Sequence, residues 1–210
     1  MPTRTQNKPS RRSVLTGLVS TLALAAPVLG GMARPAWAMD AGGAKQLVDA
    51  IVGDINKVIA APTSDAQKIK AFENIFVQYS DVPTIARYAL GADARRASAG
   101  QMKAFTSAFQ VYVSRKYGKR FREFIGGKIE VQEARKVKSF FEVKTIAHLR
   151  GESPFEVTFL VSDKSGRPKF FNLFIEGVNM LLTERTEVGA MLDRRKGDID
   201  ALIADLKATS

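Results

Sequence analysis

Apolar positions along this chain recur first at helical spacing, then at strand spacing, then at helical spacing again. Over 45–60, Leu47, Val48, Ile51, Ile55, Val58 and Ile59 share one helical face, and Pro62 ends the run. Ser64 and Asp65 offer caps for a second helix, whose stripe is Ile69, Phe72, Ile75, Phe76 and Tyr79. Asp81 caps a third, short helix. Pro83 stands in its first turn, where a missing N–H costs nothing, and Gly91 stops it. A long helix is predicted from Ser98 to about Phe124. Its stripe is Met102, Phe105, Phe109, Tyr112, Val113, Tyr117, Phe121 and Phe124, and Gly126-Gly127 breaks it.

The period then shortens to two. Segments 128–137, 140–149, 155–163 and 169–178 read as strands, with KSGRP at 164–168 as a turn between the last two. Helical spacing returns over 181–192 and 198–206, with Gly197 between. Helices, an antiparallel meander and helices again make an α+β fold. The expectation is a curved four-stranded antiparallel sheet, curling around the long helix and packed against a helical layer. The last strand is apolar on both sides at Phe170, Phe171, Leu173, Phe174 and Ile175. Such a strand has core on one face and core or a cavity on the other.

With 210 residues, 45% hydrophobic and 25% charged, the chain suits one globular domain with an extension. It has no cysteine, which removes disulfides, thiolate metal sites, a cysteine nucleophile and lipoprotein acylation. The formal charge is +11, but residues 1–38 hold Arg4, Lys8, Arg11, Arg12 and Arg34 and no acid. Taking those five from the 32 basic residues leaves 27 against 21 acidic, an excess of six. That mild excess is no nucleic-acid signature.

The N-terminus reads as an address. SRRSVLTG at 10–17 is followed by an uncharged run over 14–33 and by Ala36-Trp37-Ala38. A basic start, an apolar centre and a small-x-small site predict a secretory signal cleaved before Met39. The Arg11-Arg12 pair gives it a twin-arginine character. The domain assignment is therefore a signal peptide over 1–38 and a single domain over 39–210, with a periplasmic destination. An ordinary secretory signal leads to the same compartment. An uncleaved anchor is weakened by Pro27, Gly30 and Gly31.

Catalytic chemistry is sparse. His148 is the sole histidine, which is too little for a metal site or a triad, and no serine lies in G-x-S-x-G. No glycine run forms a phosphate loop. Glu130/Glu133 and Glu184/Glu187 read as solvated faces. No catalytic residue, metal or cofactor is expected. The enzyme alternative, a small-molecule isomerase or hydrolase in a cone-shaped α+β fold, requires a buried carboxyl with a raised pKa, for which Asp81 and Glu176 are the candidates. Segment 115–138 carries nine basic residues against Glu123, Glu130 and Glu133, and its excess equals that of the chain after residue 38. Arg115, Lys119 and Arg122 are its expected membrane or partner contacts, worth about 1 kcal/mol each near an anionic surface.

The residues 81–91, DVPTIARYALG, with Ser98 and Gln101 beyond, resemble the "DVPTIARFVLG…W…S…Q" block of the MlaC (toluene-tolerance) family of periplasmic phospholipid-binding proteins. Phe105, Phe109 and Tyr117 fit the family's long helix. Ile175-Glu176-Gly177-Val178 fits its "EGVS" strand end, and Arg185 its "YR". The resemblance covers about residues 45–206. The chain departs at Ala94 and Pro168, near which the family often has Trp, and at Asn172 and Asn179, where it has Asp and Ser. A branch associated with hopanoid loci, the HpnM-type proteins, is the other placement.

The resemblance implies a lipid carrier of an ABC-type transport system that maintains outer-membrane asymmetry. Acyl chains would lie in an apolar cavity between sheet and helices. The ligand would be a phospholipid, or a hopanoid. The partners would be an inner-membrane ABC transporter complex, an outer-membrane lipoprotein/porin complex and, transiently, the membrane surface, with the carrier a monomer. The residues expected at the lipid are Val82, Ile85, Tyr88 and Ala89 of the short helix, Phe76, Tyr79, Phe105, Phe109 and Tyr112 of the facing stripe, and strand residues Phe155, Val157, Phe159, Phe171, Leu173 and Ile175. Arg87 lies within the apolar block. A bare buried guanidinium costs several kcal/mol, so an ion pair is expected with Glu176, or with Asp81.

Overall fold

The computed structural model describes residues 39–120 and 127–209. The signal segment, Phe121, Arg122 and Phe124 therefore lie outside the described residues. The helices are α1 (Ala41–Ala60), α2 (Asp65–Tyr79), α3 (Val82–Leu90), α4 (Ala99–Arg120), α5 (Met180–Arg194) and α6 (Ile199–Thr209), with a 3-10 turn over Gly91–Arg95 after α3. The strands are β1 (Lys128–Val137), β2 (Phe140–His148), β3 (Phe155–Ser162), β4 (Lys169–Ile175) and β5 (Val178–Asn179). Among the described residues no helix is long and apolar enough to cross a membrane.

Local chemistry sets the helix ends. α1 starts four residues before the expected Lys45, because Asp40 accepts a hydrogen bond from Gly43 N at 2.7 Å and caps a first turn that contains Gly42 and Gly43. Ser64 and Gln67 form a reciprocal capping box on α2, and Ser98 and Gln101 do the same on α4. Asp81 accepts from Thr84 N at 3.2 Å, and Gly91 closes α3 at φ 65°, a conformation open to glycine. Lys68, itself buried, donates to the Ile59 carbonyl at 2.8 Å and places a cation at the end of α1.

The sheet is an antiparallel meander in the order β1-β2-β3-β4-β5. It has five strands rather than four. What reads as the end of the fourth strand turns back at Glu176-Gly177, both with positive φ (48° and 79°), the geometry of a tight hairpin. A bulge in β4 changes which residues share a face. Leu160 pairs with Asn172 but Val161 pairs with Phe170, so Phe171 is the extra residue.

The sheet does not curl around the long helix. Its inner face is covered by α1 and α2, through Val48, Ile51, Val52, Ile55, Ile59 and Ile75 packed on Phe141, Val143, Val157, Phe159, Val161 and Phe170. Asn56 clamps the outer strand by bonding both the N–H and the carbonyl of Ile129 at 3.2 Å. α4 instead joins α3, α5 and α6 in a second core around Phe105 and Phe109, both fully buried with their rings stacked at 5.6 Å. The aromatic stripe of α4 fills the deeper gaps between helices.

Candidate functional site

A cavity of about 370 Å³ opens where the two cores meet. α1 gives Ile51 and Ile55, α2 gives Phe72, Ile75 and Phe76, and α3 gives Ile85. The sheet gives Ile129, Thr145, Val157, Phe159, Phe170, Leu173 and Ile175, and α4 and α5 give Val113, Tyr117, Met180 and Leu181. Such a volume and lining suit a small apolar ligand or part of a larger one.

The polar groups in this wall are mostly spent on the protein. Thr145 donates its hydroxyl to Val157 O at 2.8 Å. Asn172 accepts from Leu173 N and Leu181 N at 2.8 and 3.0 Å and donates to Asn179 at 2.9 Å. Asn179 in turn caps α5 by accepting from Leu182 N. This small network joins β4 to the start of α5, across the cavity rim.

Glu184 puts a buried carboxylate in this wall. Its residue is 3% exposed, which overturns the expectation of a solvated helix face. Lys116 reaches its Oε1 at 2.8 Å, and the Tyr117 hydroxyl donates to the same oxygen. Lys116 also bridges to Glu187, which accepts from Tyr112 at 3.1 Å. Burial depresses the Lys116 ammonium, but its hydrogen bonds to Glu184 and Glu187 outweigh burial and hold it above the usual lysine value.

Of the fifteen expected lipid contacts, the structure gathers Phe76, Ile85, Phe155, Val157, Phe159, Leu173 and Ile175 at the cavity. The others lie elsewhere. Ala89, Phe105 and Phe109 are packed within the second core, Tyr112 packs against that core, and Val82 is buried outside the lining. Phe171 is turned out of the lining by the bulge and meets the Phe140 ring edge-on at 5.6 Å. Tyr79 donates to Asp54 at 2.7 Å and so ties α2 to α1. Tyr88 is exposed beneath the Arg185 guanidinium, which sits 5.2 Å from its ring centre.

The Arg87–Glu176 pair is also corrected. Both residues are exposed, and among the described residues neither forms an ion pair. Arg87 borders a separate concavity with Tyr88, Arg95 and Arg185, whereas Glu176 stands at the β4–β5 turn on the cavity's edge. Arg87 follows Ala86 on the outer side of the short helix, so water solvates it and no partner is required. Asp81 is the N-cap of α3. Arg115 is exposed, with Glu73 at 4.0 Å, and Lys119 is exposed. His148 is half-exposed, 3.8 Å from Glu130. Among the described residues no His, Cys, Asp and Glu cluster could hold a metal ion.

The family model for the MlaC protein matches residues 45–208. The chain belongs to the MlaC family. An MlaC-like fold is also seen in the phospholipid-binding protein from Ralstonia solanacearum, whose structure was determined in complex with a phospholipid. That structure superimposes with a TM-score of 0.68 at 16% identity, over 79% of this chain and 96% of the other. The shared fold is the open antiparallel sheet with its helices.

Sequence reasoning missed Ile51, Ile55, Phe72, Ile75, Ile129 and Phe170 in the lining of this MlaC-family cavity. The helix-face pattern of α1 and α2 could have found Ile51, Ile55, Phe72 and Ile75, since those residues already formed the stripes expected to be buried, whereas Ile129 and Phe170 lie on strands. What the pattern lacks is which stripe faces the sheet.

Proposed function

We propose that this MlaC-family chain is a periplasmic lipid carrier that holds a phospholipid by its acyl chains and shuttles it between outer- and inner-membrane components of an ABC-type transport system. The observation that carries this reading is the apolar cavity at the junction of the two cores. The phospholipid complex of the structural neighbour supports it.

The energetics favour a carrier. Each methylene withdrawn from water is worth ~0.8 kcal/mol. Two acyl chains, roughly 30 methylenes, would cost on the order of 20 kcal/mol if left in water. A protein wall of isoleucine, phenylalanine and leucine is nearly as apolar as a bilayer, so loading and unloading can be close to neutral. Transfer then needs no chemistry on the carrier. Asp81 is occupied as a helix cap and Glu176 is exposed, so neither has the buried setting that a general acid or base requires.

Export follows from Arg11-Arg12 and Ala36-Trp37-Ala38, and docking at anionic surfaces from Arg115, Lys119 and Arg122. The test is transfer of a fluorescent phospholipid from donor to acceptor vesicles. The purified protein should raise the rate in proportion to its concentration. A rate independent of the protein would sink the carrier reading.

A further inference from the structure

The Glu184 carboxylate is used on one side only. Oε1 accepts from both Lys116 and Tyr117, while Oε2 is buried and accepts no hydrogen bond among the described residues. The residue lines the cavity on α5, one helical turn beyond Met180 and Leu181. Other polar side chains of the cavity wall, and those that hold Oε1, are engaged in bonds of their own. The Thr145 hydroxyl is bound to Val157, the Asn172 amide to Asn179, and the Lys116 ammonium is shared with Glu187.

A buried acceptor left unmade costs its full desolvation, and a charged acceptor more than a neutral one. A ligand that packed hydrocarbon alone around this already dry oxygen would leave its acceptor unmade. A ligand that reached it with a donor would gain a charge-assisted bond in an apolar setting. The sign of the site is also fixed. Among the described residues lining the cavity, the charged ones are Glu152, Glu176 and Glu184, all carboxylates. A phosphate or carboxylate of the ligand would be repelled there.

We propose that the cavity selects a ligand carrying a hydrogen-bond donor, a hydroxyl or an ammonium, that binds Glu184 Oε2. This deepens the carrier reading and rests on it. A bare pair of saturated chains satisfies the wall but not Glu184. A hydroxylated amphiphile or an amine-bearing lipid satisfies both.

The test uses two isomers of equal carbon count, 1-pentadecanol and tetradecyl methyl ether, with pentadecylamine as a third arm. Each displaces the neutral dye N-phenyl-1-naphthylamine from the delipidated full protein. The alcohol or the amine should bind at least about tenfold more tightly than the ether, a difference of ~1.4 kcal/mol. A lead for the amine assigns the donor to an ammonium, and a lead for the alcohol assigns it to a hydroxyl. In Glu184→Gln the side-chain oxygen can stay on Lys116 and Tyr117 while the amide NH₂ takes the place of Oε2, so the preference should vanish or turn toward the ether. Equal binding of all three probes to the wild-type protein overturns the donor site and leaves the carrier reading intact. Failure of every probe to displace the dye, with no lipid recovered from the protein, removes the carrier reading as well. The wild-type comparison decides the matter even if Glu184→Gln folds poorly.

Discussion

Leu173→Asp separates a cavity wall from a core. Leu173 is half-buried on β4, opposite Phe159 in the register, and both line the cavity. In the empty protein an aspartate there can be hydrated from the cavity, so the fold should survive with a modest loss of stability. In the loaded protein the same carboxylate would face acyl chains. The lost leucine contact is worth up to ~2 kcal/mol, and stripping water from the charge adds several more. A total on the order of 5 kcal/mol corresponds to a loss of more than a thousandfold in affinity. The assay is lipid extraction and mass spectrometry of the purified variant, with circular dichroism to confirm the fold. Phe141→Asp is the control: Phe141 is buried at 6% exposure in the same sheet but does not line the cavity, so this change should unfold the protein. Lowering the pH should partly restore binding to Leu173→Asp, because the neutral acid is cheaper to bury. Wild-type lipid content in Leu173→Asp would refute the placement of the ligand. Unfolding like that of Phe141→Asp would show that Leu173 is core rather than wall.

Three further outcomes follow. Phe105→Ala should destabilise the second core by about 3–5 kcal/mol in chemical denaturation, yet leave the lipid content of the folded fraction unchanged. Tyr79→Phe removes the bond to Asp54 and should cost about 1 kcal/mol or less, with lipid binding intact. The Asp54 bond raises the Tyr79 hydroxyl above its ordinary value of 10.0, so this contribution is whole below that pH and is lost as pH rises through the raised value. A pH-independent difference between Tyr79→Phe and wild type across the alkaline range would contradict it. Finally, cleavage before Met39 would convert its backbone nitrogen, 2.8 Å from Asp163 Oδ2, into a charged ammonium on that carboxylate. Exported protein should then begin at Met39 by intact mass, show no tryptophan emission because Trp37 is the sole tryptophan, and lose up to about 1 kcal/mol in Asp163→Asn.

The helices were legible in the sequence because their punctuation is local. Asp81, Pro83 and Gly91 bound α3 at the expected ends, and Ser64 and Ser98 cap where they stand. The meander was legible from its period. What was hidden depends on non-local geometry. One extra residue in β4 moved Phe171 off the cavity face and brought Phe170 onto it, a change no alternation pattern records. The aromatic stripe of α4 was visible, but not that it faces other helices rather than the sheet. Glu184 read as an ordinary surface acid, because its partners Lys116 and Tyr117 come from an element some 67 residues earlier in the chain. Arg87 read as buried because its neighbours are apolar, yet a short helix leaves a polar outer side even within an apolar block.

The central claim is that the cavity holds a lipid by its hydrocarbon. The most direct measurement is native mass spectrometry of protein purified without detergent, followed by solvent extraction of the bound mass. The account predicts a discrete adduct with the mass of an amphiphilic lipid, present in the wild type and absent from Leu173→Asp. A wild-type protein of bare polypeptide mass that takes up no lipid from vesicles would contradict it.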